Sequence, residues 1–212
     1  RRGRLADMKG THKILIVLMI LLLPALLLDL GARPVYKIQE VRIAETAREM
    51  LESGDWIVPR YNGDYRLQKP PLPYWFTALS YRLFGVNETA TRIPAVLFGL
   101  LTALLLFGWM RRELDEPAAT YASLVLVASW IGLRYFRSGE ADAALSFFIA
   151  AAVLLGHGIL GGRERAWLRA AFGLALGLGF LCKGPAAFAI PGLTLALYAT
   201  MEKRCGQSVA SL

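Results

Sequence analysis

The chain has 212 residues, of which 56% are hydrophobic, 11% aromatic and 19% charged, with a formal net charge of +8 at pH 7. A mean hydropathy of +0.45 excludes an ordinary soluble domain and indicates a membrane protein. The basic residues are scattered between apolar segments, which argues against nucleic-acid binding and favours anionic headgroups or phosphates as ligands. The two cysteines, Cys182 and Cys205, show no metal spacing and predict no disulfide framework.

Long apolar segments predict the topology, because a membrane-spanning helix needs about 20 apolar residues. We predict about six spans, at residues 14–28, 93–110, 117–133, 143–162, 170–182 and 184–201. The first is short, so a cleaved signal peptide remains an alternative to a retained signal-anchor helix. Six spans place both ends of the chain on one side of the membrane. The arginines and lysines of the short loops assign that side to the cytoplasm.

The first loop, residues 31–88, is expected on the periplasmic side and contains two predicted interfacial helices. The segment QEVRIAETAREMLESGDW has apolar residues on one helical face and charged residues on the other, including an Arg48–Glu52 pair. Gly54 is its predicted end. The segment VPRYNGDYR predicts a turn or short hairpin, because Asn-Gly-Asp favours a tight turn. The second helix is predicted to begin near Pro73.

Cations and aromatic residues are concentrated in one part of this loop, RYNGDYRLQKPPLPYW, residues 60–75. The two prolines after Lys69 stiffen the chain and fix the direction of the lysine. A cation fixed beside aromatic rings suits a phosphate, with Arg66 as a second cation nearby. The alternative interpretation is that Lys69 is an ordinary solvated loop residue.

Three further places carry charged or polar groups that packing alone does not explain. Glu140 and Asp142 stand at the entrance of the predicted 143–162 span, where carboxylates are costly unless they are paired or used. They could anchor the span or act as an electrostatic or general-base group. Lys183 lies between two apolar segments beside a Gly-Pro break, and it either reaches the interface or binds an anion. Gln39 and Glu40 open the first loop helix, where capping is the alternative to a functional role.

Taken in chain order, four segments resemble the N-terminal half of bacterial glycosyltransferases that use polyprenyl-phosphate sugars. They are QEVRIAETAREMLESGDWIVPRYNGDYRLQKPPLPYW, LFGVNETATRIPAVLFGLLTAL, RSGEADAALSFF and CKGPAAFAIP. These enzymes include the aminoarabinose transferases of lipid A and, more distantly, the protein O-mannosyltransferases. The resemblance implies an all-α, multi-pass GT-C fold. It implies a membrane-embedded domain at residues 14–201, followed by a polar tail at residues 202–212.

The resemblance also implies site residues, with two departures from the family pattern. Gln39 occupies the place of the family's catalytic aspartate, and Gln68 that of the glutamate in its Glu-Lys-Pro motif. The resemblance therefore implies catalytic roles for Glu40, Glu140 and Asp142, and substrate binding by Gln39, Arg60, Tyr65, Arg66, Lys69 and Lys183. No metal ligand is assigned. A divalent metal stays open as a cofactor, although the two glutamines remove the usual acidic groups.

The predicted function is transfer of a sugar from a polyprenyl-phosphate donor to a lipid or protein acceptor, such as lipid A, on the periplasmic side of the bacterial inner membrane. The N-terminus is predicted to be cytoplasmic. A transporter or flippase subunit and a non-catalytic lipid-binding fragment remain alternatives. Because family members are about twice this length, we expect the chain to be a truncated enzyme, with Met8 as the natural start.

Overall fold

The computed structural model describes residues 26–163 and 165–210, with side chains described as far as Glu202. Apart from one two-stranded hairpin, the regular structure of this part of the chain is helical, which confirms the predicted all-α class. The elements are α1 (Ile38–Ser53), β1 (Arg60–Tyr61), β2 (Asp64–Tyr65), α2 (Leu72–Phe84), α3 (Glu88–Glu113), α4 (Glu116–Ala128), α5 (Trp130–Tyr135), α6 (Asp142–Leu160), α7 (Ala166–Lys183) and α8 (Ala186–Ala210).

Three of these helices, α3, α6 and α7, are long and apolar enough to cross a membrane. They correspond to the predicted spans 93–110, 143–162 and 170–182, the last of which is extended by α7 beginning at Ala166. Helix α8 contains a shorter apolar segment, Ala186–Glu202, and then continues to Ala210 through most of the predicted polar tail. The predicted 14–28 span lies almost entirely outside the described residues, and the six-span count is not confirmed.

The predicted 117–133 span is not one continuous helix, because the chain there forms two shorter helices, α4 and α5, that meet at Ser129. The Ser129 hydroxyl donates to the Leu126 carbonyl at 2.8 Å and accepts from the Gly132 N–H at 3.0 Å. The side chain thus replaces backbone bonds that would otherwise continue the helix. The backbone is tight there, since a Cβ on Gly132 would lie 2.1 Å from the Leu126 oxygen.

Helix α1 has the amphipathic form that its sequence predicts. Its inner face buries Ile43, Ala47 and Met50, and Gly54 ends it with a φ of 69°, a conformation that glycine adopts without strain. On the outer face Arg48 lies between Glu45 and Glu52, and both contacts are ion pairs. The hydrogen bond from Arg48 lowers the pKa of Glu45 below its usual range. The predicted Arg48–Glu52 pair is confirmed.

The predicted hairpin is also present and is attached to α1. Strands β1 and β2 pair antiparallel with Arg60 opposite Tyr65, and both turn residues have positive φ, 54° at Asn62 and 82° at Gly63, as in a type I′ turn. The Glu49 carboxylate of α1 accepts hydrogen bonds from the backbone N–H groups of Asn62 at 2.6 Å and Gly63 at 3.2 Å. These bonds fix the position from which the chain continues to Lys69.

An apolar cluster joins the second loop helix, α2, to the ends of the membrane helices. It contains Leu72, Ala144, Leu145, Phe148, Cys182 and Ala187, from α2, α6, α7 and α8. Phe98 of α3 extends it, with ring centroids 4.8 Å from Phe76 and 5.6 Å from Phe148. Because α6 begins and α7 ends at this cluster, it brings the charged groups at those two helix ends together beneath the loop.

Candidate functional site

A hollow of about 130 Å³ lies between the start of α1, the segment after the hairpin, the start of α2, and the ends of α6 and α7. Because one buried water needs only about 10–15 Å³, the hollow has room for a larger group. It is lined by Gln39, Ile43, Arg66, Lys69, Pro70, Pro73, Tyr74, Glu140, Ala141, Asp142, Cys182 and Lys183. Six of the nine predicted site residues are in this set: Gln39, Arg66, Lys69, Glu140, Asp142 and Lys183.

Asp142 and Lys183 form an ion pair in the hollow, with Lys183 Nζ 2.6 Å from Asp142 Oδ1. Asp142 is the first residue of α6 and Lys183 the last of α7. A negative charge at a helix N-terminus and a positive charge at a C-terminus are both favourable. Helix α7 ends there because Gly184 has a φ of 76°, which confirms the predicted Gly-Pro break. About a third of each side chain is exposed, so the pair is open to a ligand.

Arg66 is the buried cation of the hollow, with only 6% of its surface exposed. Its Nε donates to the Tyr74 hydroxyl at 2.8 Å, and its guanidinium lies 5.6 Å from the centroid of the Tyr61 ring. In the described part of the chain it has no carboxylate partner, although buried arginines are normally paired. A buried cation beside an open hollow therefore points to an anionic ligand.

Lys69 stands on the same hollow, between the hairpin and α2. Its side chain is exposed, and no hydrogen bond or ion pair joins its ammonium group to residues 26–163 or 165–202. Pro70 and Pro71 follow it directly and restrict the backbone. Lys69 and Arg66 are thus two cations of the hollow whose charges no carboxylate among these residues neutralises.

Glu140 has its own lysine partner. Its Oε1 accepts from the Ser138 hydroxyl at 2.8 Å and lies 3.4 Å from Lys37 Nζ, which also donates to Ser138 at 3.3 Å. Lys37, the residue before α1, was not predicted from the sequence, because nothing along the chain relates it to Glu140 about a hundred residues away. Three cations and two carboxylates line the hollow, and Lys37 adds positive charge behind Glu140, so the net field favours an anion.

Glu40 lies behind the hollow instead of lining it. It is 2% exposed and paired with Arg92, which is 6% exposed. Arg92 Nε donates to Oε1 at 2.7 Å and Nη2 to Oε2 at 3.3 Å, while the Gly139 N–H donates to Oε1 at 2.9 Å. Both carboxylate oxygens are therefore already occupied. This position gives no support to the predicted catalytic role of Glu40, because the carboxylate cannot reach a substrate from there.

Arg92 is a second residue whose role was not predicted from the sequence. Besides Glu40 it binds backbone carbonyls at the entrance of the first loop, those of Leu30 at 2.5 Å, Arg33 at 2.8 Å and Pro34 at 3.3 Å. A signal was present, since Glu40 shares helical spacing with the buried residues of α1, and a carboxylate on a buried face needs a partner. An arginine directly before a predicted span was the candidate for that partner.

Arg60 and Tyr65 lie on the hairpin, outside the lining of the hollow. The Arg60 guanidinium is 4.7 Å from the centroid of the Tyr65 ring, and Tyr65 is 68% exposed. The contact is a cation–π interaction on the outer surface of the hairpin. The structure thus separates these two predicted binding residues from the six that it brings together.

The groups in the hollow do not fit a divalent metal. Each of its two carboxylates already has a lysine partner, and the positive side chains of the hollow repel a metal cation. Among residues 26–163 and 165–202, no three His, Cys, Asp or Glu side chains are grouped closely enough to hold a metal ion. We therefore derive no step through a metal.

The fold and the hollow define a helical membrane protein with a cationic site of about 130 Å³ where its apolar helices meet an extramembrane loop. Residues 68–212 match the family described as dolichyl-phosphate-mannose-protein mannosyltransferase. The chain belongs to this family. The predicted resemblance to glycosyltransferases that use polyprenyl-phosphate sugars is confirmed.

Individual relatives extend the match to the first loop. The chain is 35% identical over 185 residues to the undecaprenyl phosphate-alpha-4-amino-4-deoxy-L-arabinose arabinosyl transferase of Aeromonas hydrophila. The aligned region covers 84% of this chain and 33% of the relative. It is 33% identical over 184 residues to an uncharacterised protein of Aquifex aeolicus, and this aligned region covers 85% of this chain and 37% of that protein. The chain thus spans about a third of the length of these relatives.

Solved structures show the same fold. The crystal structure of ArnT from Cupriavidus metallidurans bound to undecaprenyl phosphate is similar with a TM-score of 0.81 and 28% sequence identity, over 91% of this chain and 36% of that one. The apo state of the same protein gives a TM-score of 0.80 with 27% identity, over 93% and 37% of the two chains. The arrangement of loop helices on membrane helices is therefore that of ArnT.

Proposed function

We propose that the chain is the N-terminal part of a membrane glycosyltransferase that moves a sugar from a polyprenyl-phosphate donor to an acceptor hydroxyl. The observation that carries the proposal is the convergence of Arg66, Lys69 and Lys183 on one hollow, with no carboxylate on Arg66 or Lys69 in the described residues. The name of the Aeromonas hydrophila relative and the ligand of the Cupriavidus metallidurans structure support a lipid-linked phosphate as the anion.

The three cations are suited to the charge that develops during transfer. The donor phosphate is a diester with one negative charge, and it gains a second when the bond between the sugar and its oxygen breaks. Cations fixed beside that oxygen stabilise the transition state more than the bound donor, which is the requirement for catalysis. Arg66 is held by Tyr74, so it need not reorganise during the reaction.

Asp142 is the carboxylate that we assign as the base for the acceptor hydroxyl, because it lines the hollow beside Lys183. Glu140 is held by Lys37 and Ser138 and serves as an electrostatic and orienting group. Gln39 offers an amide to sugar or acceptor hydroxyls. For Glu40 we propose positioning instead of catalysis, since its bond to the Gly139 N–H fixes the segment that carries Glu140.

For the sugar we propose a pentose of the aminoarabinose type, because several relatives are named as arabinosyl transferases for that sugar. The acceptor is a lipid such as lipid A, or a protein, on the periplasmic side of the inner membrane, with the N-terminus in the cytoplasm. The family description names mannose, so hexose transfer is the competing assignment. Incubation of the full-length protein with labelled undecaprenyl-phosphate aminoarabinose and a mannose donor decides between the two.

Substitution of Lys69 tests the phosphate assignment. In the full-length protein we expect Lys69→Ala to lower the rate of sugar transfer by about 10²–10³-fold, the usual effect of removing one preorganised group that stabilises a developing negative charge. Membrane insertion and thermal stability should not change, because Lys69 contributes no hydrogen bond or ion pair to the described part of the chain. Transfer is measured with labelled donor in membrane vesicles.

The matched control is Arg82→Ala, which removes an exposed cation from α2 in the same loop without touching the hollow. We expect it to leave transfer unchanged. Normal turnover by Lys69→Ala would contradict the phosphate role. Binding of undecaprenyl phosphate by the wild-type protein without transfer from any donor would favour a lipid-binding protein over an enzyme.

A further inference from the structure

We propose that Lys183 is shared between two partners: it neutralises Asp142 before the donor binds, and it moves to the donor phosphate afterwards, leaving Asp142 free to act as the base. The inference rests on the proposed function and adds an order of binding to it. The donor must come first, because only its phosphate draws Lys183 from the carboxylate. The acceptor then meets an uncovered base.

The first support is a difference between the three cations of the hollow. Lys183 has a carboxylate partner at 2.6 Å, whereas in the described residues neither Arg66 nor Lys69 has one. An incoming phosphate can thus bind Arg66 and Lys69 without displacing any carboxylate. Once bound there, the phosphate lies in the same small hollow as Lys183 and competes with Asp142 for its ammonium group.

The second support is that the Asp142–Lys183 pair is built to be exchanged. A single hydrogen bond joins the two side chains, and about a third of each is exposed, so solvent weakens the attraction. The lysine ammonium is a point charge on a flexible stem and can turn to a new anion without losing a fixed fork geometry. The α7 C-terminus favours the charge of Lys183 in either position.

The exchange has a chemical consequence for the transfer step. While Lys183 pairs with Asp142 Oδ1, its positive charge neutralises the carboxylate and opposes transfer of the acceptor's proton to it. After the exchange, the acceptor oxygen forms a bond to the anomeric carbon, and its proton passes to Asp142. The bond from the anomeric carbon to the phosphate oxygen breaks with its electron pair, giving the polyprenyl phosphate dianion beside Lys183, Lys69 and Arg66. The base is thus uncovered only when a donor is present.

The test is a double-mutant cycle on the binding of undecaprenyl phosphate to the full-length protein in detergent. The four proteins are wild type, Asp142→Asn, Lys183→Met and the double variant. We expect Asp142→Asn to bind about three- to fivefold more tightly than wild type, because Lys183 is no longer held back by a partly exposed ion pair. In the Lys183→Met background the same substitution should change affinity by less than twofold, because the cycle isolates the pairwise effect.

Equal tightening by Asp142→Asn in both backgrounds would show general relief of charge repulsion and would overturn the exchange, as would no tightening in either. Glu140→Gln is the matched control: it removes another carboxylate of the hollow whose partner is Lys37, so its effect should not depend on Lys183. If Lys183→Met lowers stability, Lys183→Gln completes the cycle. Sugar transfer by the wild-type protein is assayed separately, so absence of transfer with an intact cycle would reject the enzyme and retain the exchange.

Discussion

Two ion pairs near the same end of the membrane helices differ in almost every physical respect. In the Glu40–Arg92 pair the side chains are 2% and 6% exposed. Glu40 also accepts from a backbone N–H, and Arg92 donates to three backbone carbonyls. In the Asp142–Lys183 pair the side chains are 30% and 36% exposed, and one contact joins them. Only the second pair lines the hollow.

The difference separates a pair that holds the fold from a pair that is available to a ligand. Burying two charges carries a desolvation penalty of several kcal/mol per ion, so such a pair persists only when its remaining groups are satisfied, as those of Glu40 and Arg92 are. A partly exposed pair contributes only about 0–1 kcal/mol. Stability alone therefore gives little reason to keep Asp142 and Lys183 together.

The largest effect on stability is expected at the buried pair. Arg92→Met should lower the free energy of unfolding by about 3–5 kcal/mol, because it leaves the buried Glu40 charge without a partner. It also removes the links from α3 to the entrance of the first loop. Thermal unfolding of the purified protein in detergent measures this loss, with loss of the first-loop structure as the expected first event.

Two further variants sharpen this prediction. Combining Arg92→Met with Glu40→Gln should recover part of the loss, since removing both charges avoids the uncompensated one. Arg48→Ala, on the exposed face of α1, should change stability by less than about 0.5 kcal/mol. A loss at Arg92 no greater than that at Arg48 would show that the buried pair does not hold the fold.

The next largest effect is expected at Gly139, which connects the two pairs through the segment before α6. A Cβ there would lie 2.7 Å from Thr91 Cγ2 and 3.0 Å from the Thr91 carbonyl oxygen. Because the second neighbour is backbone and cannot turn away, Gly139→Ala should lower the free energy of unfolding by about 1–3 kcal/mol. It should also lower transfer, because the segment carries Glu140 and leads into Asp142.

Gly108→Ala is the control for the Gly139 variant. Gly108 lies within α3, and a Cβ there meets nothing within 4 Å. Alanine is the better helix former by about 1 kcal/mol, so this change should be neutral or stabilising in the same unfolding experiment. Equal stability of Gly139→Ala and wild type would mean that the segment moves freely, and the link between the two pairs would fail.

Local sequence chemistry was sufficient to predict the elements of the first loop. Gly54, the Asn62–Gly63 turn and the prolines before α2 each set the backbone by their own conformational limits, and the structure has the predicted element at each. Ser129 was missed because apolar composition measures span length but is insensitive to one hydroxyl that turns back to the Leu126 carbonyl. A serine within an apolar segment fits a continuous helix equally well from sequence alone.

Site residues that stand at helix ends were predictable from the sequence. Residues whose position depends on a partner far away in the chain were not. Asp142 and Lys183 were predicted because each adjoins the boundary of an apolar segment, and antiparallel packing of α6 and α7 then brings the two boundaries together. The partners Lys37–Glu140 and Glu40–Arg92 are separated by 103 and 52 residues, and nothing local relates them. The helical spacing of Glu40 indicates the buried face of α1, but its pairing with Arg92, which occupies both carboxylate oxygens, is seen only in the structure.

The smallest effect on stability is expected at the exposed pair, and there the comparison is most open to contradiction. Asp142→Asn keeps the shape of the side chain and removes one charge from the start of α6, so the free energy of unfolding should change by about 1 kcal/mol or less. Sugar transfer should nevertheless be lost, since the amide cannot accept the acceptor's proton. Unfolding and transfer measured on the same preparation separate the two effects.

A stability loss as large as that of Arg92→Met would mean that both pairs hold the fold. Lys183 would then not be free to move to a phosphate. The free energy needed to separate it from Asp142 would exceed the free energy gained from a partly exposed contact with the ligand.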